Sequence, residues 1–548
     1  MANRLTENPD WNVLLLEAGG NPTVTTEVPG LAAAVVRTDL DWQYQTEPDP
    51  SNCQGSANKS CYWPRGKMLG GSSSINAMLY VRGNPKDFDD WENMGNPGWS
   101  YKDMLPYFQK SEDLRSETVL KNRQVFRYHN KGGYLKIESF KRNINFFTDL
   151  FSKGFHELSY QSFSDVNAEH HEGFFLLQGT LENARRCSTA KAFLRDFQKR
   201  PNLKISTNSL VLKVLINDKN TAYGVEFSKK GKILRTLATK EVILSAGSIN
   251  SPQLLMLSGI GPRRHLNKLG IKVVQNSKVG YNLQDHTIMR GFIVTLDIHT
   301  STPDPIESMF QFLINSRGEF SGPNFLSIAG FIKTSQAKSH NIQFYFTSQA
   351  ANSSTILQRG LRTFGYDEVI VRSLVKINAN NFVISITPSL VQPKSRGRIL
   401  LKSTNPFDHP LIYPRYFSEE QDIVENLEAI EFANKLVNTD ALKRFNARVQ
   451  RIDIPECNVF QFQSEPYWRC VIKYMSVTVY HPVGTCRMGP RGDRDSVVDP
   501  QLRVIGISSL RVVDGSVMPK ITSGNTNAPI IAVAEKASDL IKNHWGFC

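Results

Sequence analysis

Three short apolar runs, each closing on an acid or on small residues, constrain the fold most. They are Trp11-Asn-Val-Leu-Leu-Leu-Glu17-Ala-Gly-Gly20, Glu241-Val-Ile-Leu-Ser-Ala-Gly247 and Leu510-Arg-Val-Val-Asp514-Gly515. Near-continuous apolar runs of this length read as strands buried on both faces, as in parallel sheets covered by helices. Such sheets bind ligands outside the carboxyl ends of their strands. Those ends carry Glu17, Ala246 with Gly247, and Asp514 with Gly515. After the second run, Ser251-Pro252 supplies an N-cap and a first-turn proline, which predicts a helix start. After the third, Ile530, Ala534, Ala537 and Ile541 form one stripe of a helix over 528–541.

Between these blocks the texture changes. Segments such as Asn341-Ile-Gln-Phe-Tyr-Phe346 and Phe382-Val-Ile-Ser-Ile386 alternate like antiparallel strands, and 423–437 is amphipathic at helical spacing. The expectation is an α/β chain (α+β overall): a Rossmann-like domain over 1–289, an antiparallel-sheet domain over 290–475, and a return to the first domain over 476–548. At 548 residues the chain has ample length for such units.

A second constraint is the stretch Pro64-Arg-Gly-Lys-Met-Leu-Gly-Gly-Ser-Ser-Ser-Ile-Asn76. Paired glycines let backbone approach a ligand closely, and the serines that follow can cap a helix or donate to a phosphate. On its own the stretch reads equally as a loop before a buried segment. Glu17 adds a partner, because the acid that holds a nucleotide ribose lies ~20 residues after the Gly-rich turn of a dinucleotide-binding unit. Counting back puts that turn at or before Met1, so the chain is expected to start past it.

The net charge of +14, from 65 Lys and Arg against 51 Asp and Glu, suits nucleic acid or an anionic surface. The densest basic runs, 229–235 and 359–372, are short and lack interleaved aromatics, so no nucleic-acid partner is expected. No apolar run approaches the ~20 residues that cross a bilayer, so no transmembrane segment is expected. Of the seven cysteines none falls in a Cys-x-x-Cys or Cys/His array, which argues against a metal site. Cys53/Cys61 and Cys457/Cys470 have loop-like spacing that suits disulfides, and Asn58-Lys-Ser60 and Asn352-Ser-Ser354 fit glycosylation acceptors. These lean toward a secretory route, whereas Met1 opens no signal-peptide pattern. The compartment stays open.

Two polar residues near the end stand out. His481 lies in Tyr-His-Pro-Val-Gly-Thr-Cys-Arg-Met-Gly489, and Asn525 in Ser523-Gly-Asn-Thr-Asn527 at the start of the last helix. A histidine acts as a base near neutral pH with little tuning, although an isolated one is more often structural.

Taken in order, Gly66-Lys-Met-Leu-Gly-Gly-Ser-Ser-Ser-Ile-Asn76, Gly247-Ser-Ile-Asn-Ser-Pro-Gln-Leu-Leu-Met-Leu-Ser-Gly-Ile-Gly261, His481-Pro-Val-Gly-Thr, Val513-Asp-Gly-Ser-Val-Met-Pro519 and Ser523-Gly-Asn-Thr-Asn-Ala-Pro529 resemble the glucose–methanol–choline flavin oxidoreductases. The match runs across nearly the whole chain and looks nearest to the insect glucose-dehydrogenase-like branch. The resemblance implies an FAD-binding Rossmann-like domain with an inserted substrate domain. It implies that Glu17 holds the adenosine ribose and that Arg65, Gly70, Gly71, Ser72 and Ser73 line pyrophosphate and flavin. Asn76 and Ala77 would lie near the isoalloxazine, and Val211 would meet the adenine through its backbone. Ala246 with Gly247 would flank the nucleotide, Asp514 and Gly515 would close its ribityl–phosphate side, and Asn527 would belong to the same surround. His481 matches the active-site base and Asn525 the second active-site residue. Some members attach FAD through a His where this chain has Ile75, so non-covalent FAD is implied.

The implied reaction is hydride transfer from an alcohol (sugar, sterol or small alcohol) to flavin N5, with oxygen or a quinone as acceptor. Because the family's first Gly-rich loop falls before Met1, a catalytically silent, non-flavin member is the alternative, and FAD binding by this chain is the open expectation.

Overall fold

The computed structural model describes residues 1–299, 304–323 and 325–547. The three apolar runs form short strands. Val13–Leu16 pairs in parallel with Leu203–Ser206, and Val242–Leu244 pairs in parallel with Leu510–Val512. The helices Gly247–Leu257 and Asn527–His544 follow the second and third of them. Their apolar faces close one large core with Leu244, Leu255, Val512 and Ala532 at its centre.

Two local readings differ from what was expected. The first strand is not buried on both faces: Leu14 is 41% exposed. Among the described residues Val13–Leu16 is paired along one edge only, and of the face that Leu14 shares with Leu16 only Leu16 packs against the main core. The helix after Val242–Leu244 begins at Gly247, four residues before the Ser251-Pro252 signal, and carries Pro252 inside it. A proline there leaves the carbonyl four residues back without its usual donor. That carbonyl, on Ser248, accepts the Thr485 hydroxyl at 2.7 Å instead, so a residue far along the chain makes the early start tolerable. Residues 184–194 form a short strand, Arg185–Arg186, and a helix, Thr189–Phe193, whose N-cap Ser188 accepts from Lys191 N.

The central region folds around a nine-stranded, largely antiparallel sheet. Ile342–Gln349 and Phe382–Leu390 pair along their whole length, with Phe346 opposite Ile386. Gly173–Leu176 and Ser162–Phe163, from the first half of the chain, extend the same sheet. Helix Asn145–Glu157 lies close on it because Gly330 has no side chain; a Cβ there would sit 2.2 Å from the Phe155 ring. Both expected cysteine pairs are bonded, each with Cα atoms 5.5 Å apart. Among the described residues no helix is long and apolar enough to cross a membrane.

One small pairing positions the site. Thr287–Met289 runs antiparallel both to the end of Phe382–Leu390 and to Ser476–Thr478, with Thr287 opposite Thr478. The pairing continues as Val479 N donates to His286 O at 3.0 Å. The Asp285-His286 and Tyr480-His481 segments are thereby brought side by side.

Candidate active site

The Gly-Ser stretch is a turn held mostly by itself. Gly70, at φ 87°, begins the Gly71–Ser74 3-10 turn, and a Cβ on it would strike Ser74 Oγ. Ser73 Oγ donates to Gly70 O at 2.6 Å and also accepts from Thr189 N at 2.9 Å; Ser74 Oγ donates to Leu69 O. Ser72 Oγ accepts from Gly66 N at 3.3 Å. The Ser72, Ser73 and Ser74 hydroxyls therefore shape the loop, leaving backbone and the bare face of Gly71 to meet a ligand. Asn76 Oδ1 accepts from Met78 N at 2.9 Å and from Arg186 Nη1 at 2.7 Å, and Ala77 beside it is half-buried.

Two of the three strand ends meet directly. Asp514 Oδ2 accepts from Gly247 N at 2.8 Å and from Ser251 Oγ at 2.6 Å, while its Oδ1 accepts from Ser516 N. This one carboxylate ties the start of the Gly247–Leu257 helix to the turn at Gly515. Glu17 Oε1 accepts from Gly19 N at 2.8 Å, and burial raises the carboxyl to about 7. Val211, in the strand Ser209–Ile216, is partly buried against the main core, and Asn527 opens the last helix.

Three observations bear on whether FAD fits these residues. A Cβ on Gly71 or on Gly247 would meet nothing within 4 Å, so both glycines, each partly buried, front open space. Ser245 and Ala246, at the carboxyl end of a core strand, are exposed. Arg186, 2% exposed, donates to Thr26 O, Ser73 O and Asn76 Oδ1, and among the described residues it has no carboxylate partner and its Nη2 no partner. Burial alone lowers it to about 9. A buried, unpaired guanidinium under this loop calls for an anion. A dinucleotide's polar surface suits the whole set.

His481 sits at the other end of the same stretch, because Arg65 Nη2 donates to Tyr480 O at 2.6 Å. Its ring is half-buried. Its backbone N–H donates to Asp285 Oδ1 at 2.8 Å, and Asp285 Oδ2 accepts from Thr478 Oγ1 at 2.6 Å and from Tyr416 Oη. His481 Nε2 lies 3.3 Å from Asn525 Nδ2, and His481 Nδ1 lies 2.9 Å from His286 Nδ1. Asn525 is held from behind by Tyr345 Oη at 3.1 Å and by Gln343 Nε2, which donates to its Oδ1 at 3.4 Å. Burial, then His286 and Arg65, keep the His481 imidazole well below its usual range and therefore neutral. An imidazole nitrogen and an amide, side by side on a half-buried shelf, can take a hydroxyl proton and steady the oxygen it leaves.

Residues 14–288 match the N-terminal part of the GMC oxidoreductase family and residues 393–534 the C-terminal part. The chain belongs to the GMC oxidoreductase family. It is 38% identical over 554 residues to glucose dehydrogenase [FAD, quinone] of Drosophila melanogaster, covering 100% of this chain and 85% of that one. It is 35% identical over 549 residues to ecdysone oxidase of Bombyx mori, covering 100% and 80%. The fold superposes on formate oxidase of Aspergillus oryzae with a TM-score of 0.84 at 25% identity, covering 100% and 96%. A catalytically silent member has no support among these relatives, whose names are those of dehydrogenases and oxidases.

Sequence reasoning had not reached His286, Asp285, Tyr345, Gln343 or Arg186. The one signal for the first two was a polar run, Asn282 to His286, next to an apolar strand; Arg186 gave none, since paired arginines ordinarily face solvent.

Proposed function

We propose that this GMC oxidoreductase binds FAD without a covalent link and oxidises the CH–OH group of a small-molecule alcohol, with oxygen or a quinone as eventual electron acceptor. The observation that carries the reading is the His481–Asn525 pair, its nitrogens 3.3 Å apart beside a loop with open space and an unpaired buried cation. Bound FAD supplies the two-electron acceptor for the substrate's hydride. Glu17 holds the ribose, Gly71 and Gly247 let backbone come close to the cofactor, and Arg186 balances its negative charge.

The chain's own residues manage the proton. His481 Nε2 takes it from the alcohol hydroxyl, which raises electron density on oxygen and weakens the carbinol C–H bond. When the alcohol enters, the Asn525 N–H that otherwise faces His481 Nε2 turns to that oxygen, while its other N–H stays on Tyr345 Oη and Gln343 keeps the amide from turning away. The Asn527–His544 helix begins beside this pair, and its N-terminal backbone N–H groups favour negative charge there.

The reading is tested by loading the full chain with FAD and mixing it without oxygen with sugars, sterols and simple alcohols. Bleaching of the visible flavin band by at least one class is expected. A chain that takes up no flavin, or a flavin that no alcohol bleaches, overturns the reading.

FAD affinity is expected to depend on pH through Glu17. The ionised Glu17 carboxylate would accept from the ribose hydroxyls, so binding favours loss of the proton that burial retains up to about pH 7. Affinity then weakens by up to about tenfold for each pH unit below 7, and Glu17→Gln flattens the profile. In the FAD-free chain the same raised carboxyl makes the fold less stable as pH climbs from the ordinary carboxylate range through 7, and FAD loading relieves this. Quenching of FAD fluorescence on titration with protein, between pH 5.5 and 8, checks the sign.

A further inference from the structure

His286 has no role in the reading above, yet it is the best-placed group to decide which nitrogen of His481 is free. It is 1% exposed, and its Nδ1 lies 2.9 Å from His481 Nδ1 with the two rings perpendicular at 89°. Two unprotonated nitrogens repel at that distance, and two protonated ones clash; one must carry a hydrogen and the other a lone pair.

The surrounding hydrogen bonds settle which. Gln343 Nε2 donates to Asn525 Oδ1, which turns Asn525 Nδ2 toward Tyr345 Oη and His481 Nε2. An amide N–H facing Nε2 needs a lone pair there. A neutral imidazole has one proton, so that of His481 is on Nδ1, where the facing group is His286 Nδ1. His286 Nδ1 is then the acceptor, and the proton of His286 is on Nε2, which has no hydrogen-bond partner among the described residues. Two neutral rings then carry two protons and share one hydrogen bond, with the His286 Nε2–H left without an acceptor among the described residues. Burial keeps both rings neutral, with His286 lowered to about 3.

The other charged and titratable groups around the pair are occupied elsewhere. Asp285 accepts from His481 N, Thr478 and Tyr416, and Arg65 donates to Tyr480 O and Pro64 O. Neither offers His481 Nδ1 a competing acceptor.

We infer that His286 is a positioning residue: by accepting the Nδ1–H of His481 it holds that ring in the tautomer whose Nε2 lone pair faces the alcohol. The inference rests on His481 as the base for its catalytic consequence, but not for the tautomer itself. In the step, the hydroxyl proton moves from oxygen to His481 Nε2. The resulting imidazolium keeps its Nδ1–H on His286, so the positive charge gains a neutral acceptor that water would otherwise supply. A buried carboxylate in that position would hold a permanent charge against the ring; a neutral imidazole orients it without doing so.

The test reads the tautomer directly. The full, FAD-loaded chain is labelled with ¹⁵N-histidine, and multiple-bond N–H correlations are recorded; with eleven histidines, the His481 pattern is assigned as the one lost in His481→Gln. The wild type is expected to show protonated Nδ1 and bare Nε2 at His481. His286→Phe removes the acceptor and is expected to move the proton to Nε2, with flavin reduction by an alcohol slowed about 10²-fold at unchanged substrate affinity. His286→Gln returns an acceptor oxygen and should restore both the tautomer and most of the rate, which separates the role from simple packing. Protonated Nε2 in the wild type, or an unaltered tautomer in His286→Phe, overturns the inference. If no alcohol reduces the flavin while the Nδ1–H pattern stands, the proposed activity fails and the His286 assignment does not.

Discussion

Replacing His481 by alanine slows alcohol-driven flavin reduction by about 10²–10⁴-fold, while FAD stays bound. The size follows from general-base catalysis by a group already in place. His481 is anchored through its backbone to Asp285 and through its ring to Asn525 and His286, so little reorganisation is needed when the proton arrives. Retention of FAD follows from where the loop's bonds go. The Gly70–Ser74 turn is closed by Ser73, Ser74 and Thr189, and Asp514 ties the strand ends; none of these bonds uses His481. The variant should therefore keep its visible flavin spectrum and lose only the rapid bleaching. Because burial holds the wild-type imidazole neutral well below its usual range, the wild-type rate should stay flat through neutral pH and fall only on strong acidification. Stopped-flow absorbance without oxygen measures both. Rapid bleaching retained in His481→Ala removes His481 from the base role.

How much of this was legible in the sequence depends on how local each cause is. Gly70 could be picked out because its left-handed φ and the Ser74 hydroxyl beside it exclude a side chain, a requirement set within five residues. Glu17 and Asp514 could be picked out because an acid at the end of an apolar run is rarely placed there for packing. The misread elements have distant causes. The early start of the helix before Pro252 depends on Thr485, and the exposure of Leu14 depends on which strands lie beside Val13–Leu16. Gln284, Asp285 and His286 are all polar, yet all three are at most 2% exposed. They are buried because they bridge to Val483, Thr478 and His481, nearly two hundred residues on, and no periodicity encodes a contact of that span.

A second large effect is expected away from the reacting groups, at Glu112. This fully buried carboxylate pairs with Arg82 and accepts from His129 Nδ1 at 2.6 Å; His129 Nε2 reaches Asp165 at 3.0 Å. Two cations and two carboxylates share one dry pocket, braced by Asn167, which accepts from Arg82 N and donates to Gln178 and Tyr80 O. Glu112→Gln leaves the Arg82 guanidinium without its counter-charge and should cost about 3–5 kcal/mol in urea unfolding. The pH dependence has two sides. Burial and Arg82 push His129 down, but Asp165 and Glu112 outweigh them and its pKa is raised. That contribution is complete below the ordinary histidine value of about 6.5 and is lost as pH rises through the raised one. Burial pushes Asp165 up, but its bond to His129 outweighs this and the net shift is downward, so its contribution is lost only as pH falls through the depressed value. The difference between wild type and Glu112→Gln should therefore be widest in mildly acidic solution and narrow above neutrality. Function is coupled to the same pocket, because Arg82 follows Val81, and Val81 packs against Gly524, where a Cβ would come within 2.6 Å of it. Gly524 immediately precedes Asn525, so a loosened Arg82 segment should also lower the rate of flavin reduction. Equal stability of the two proteins across the pH range would show that the four charges are balanced by solvent rather than by one another.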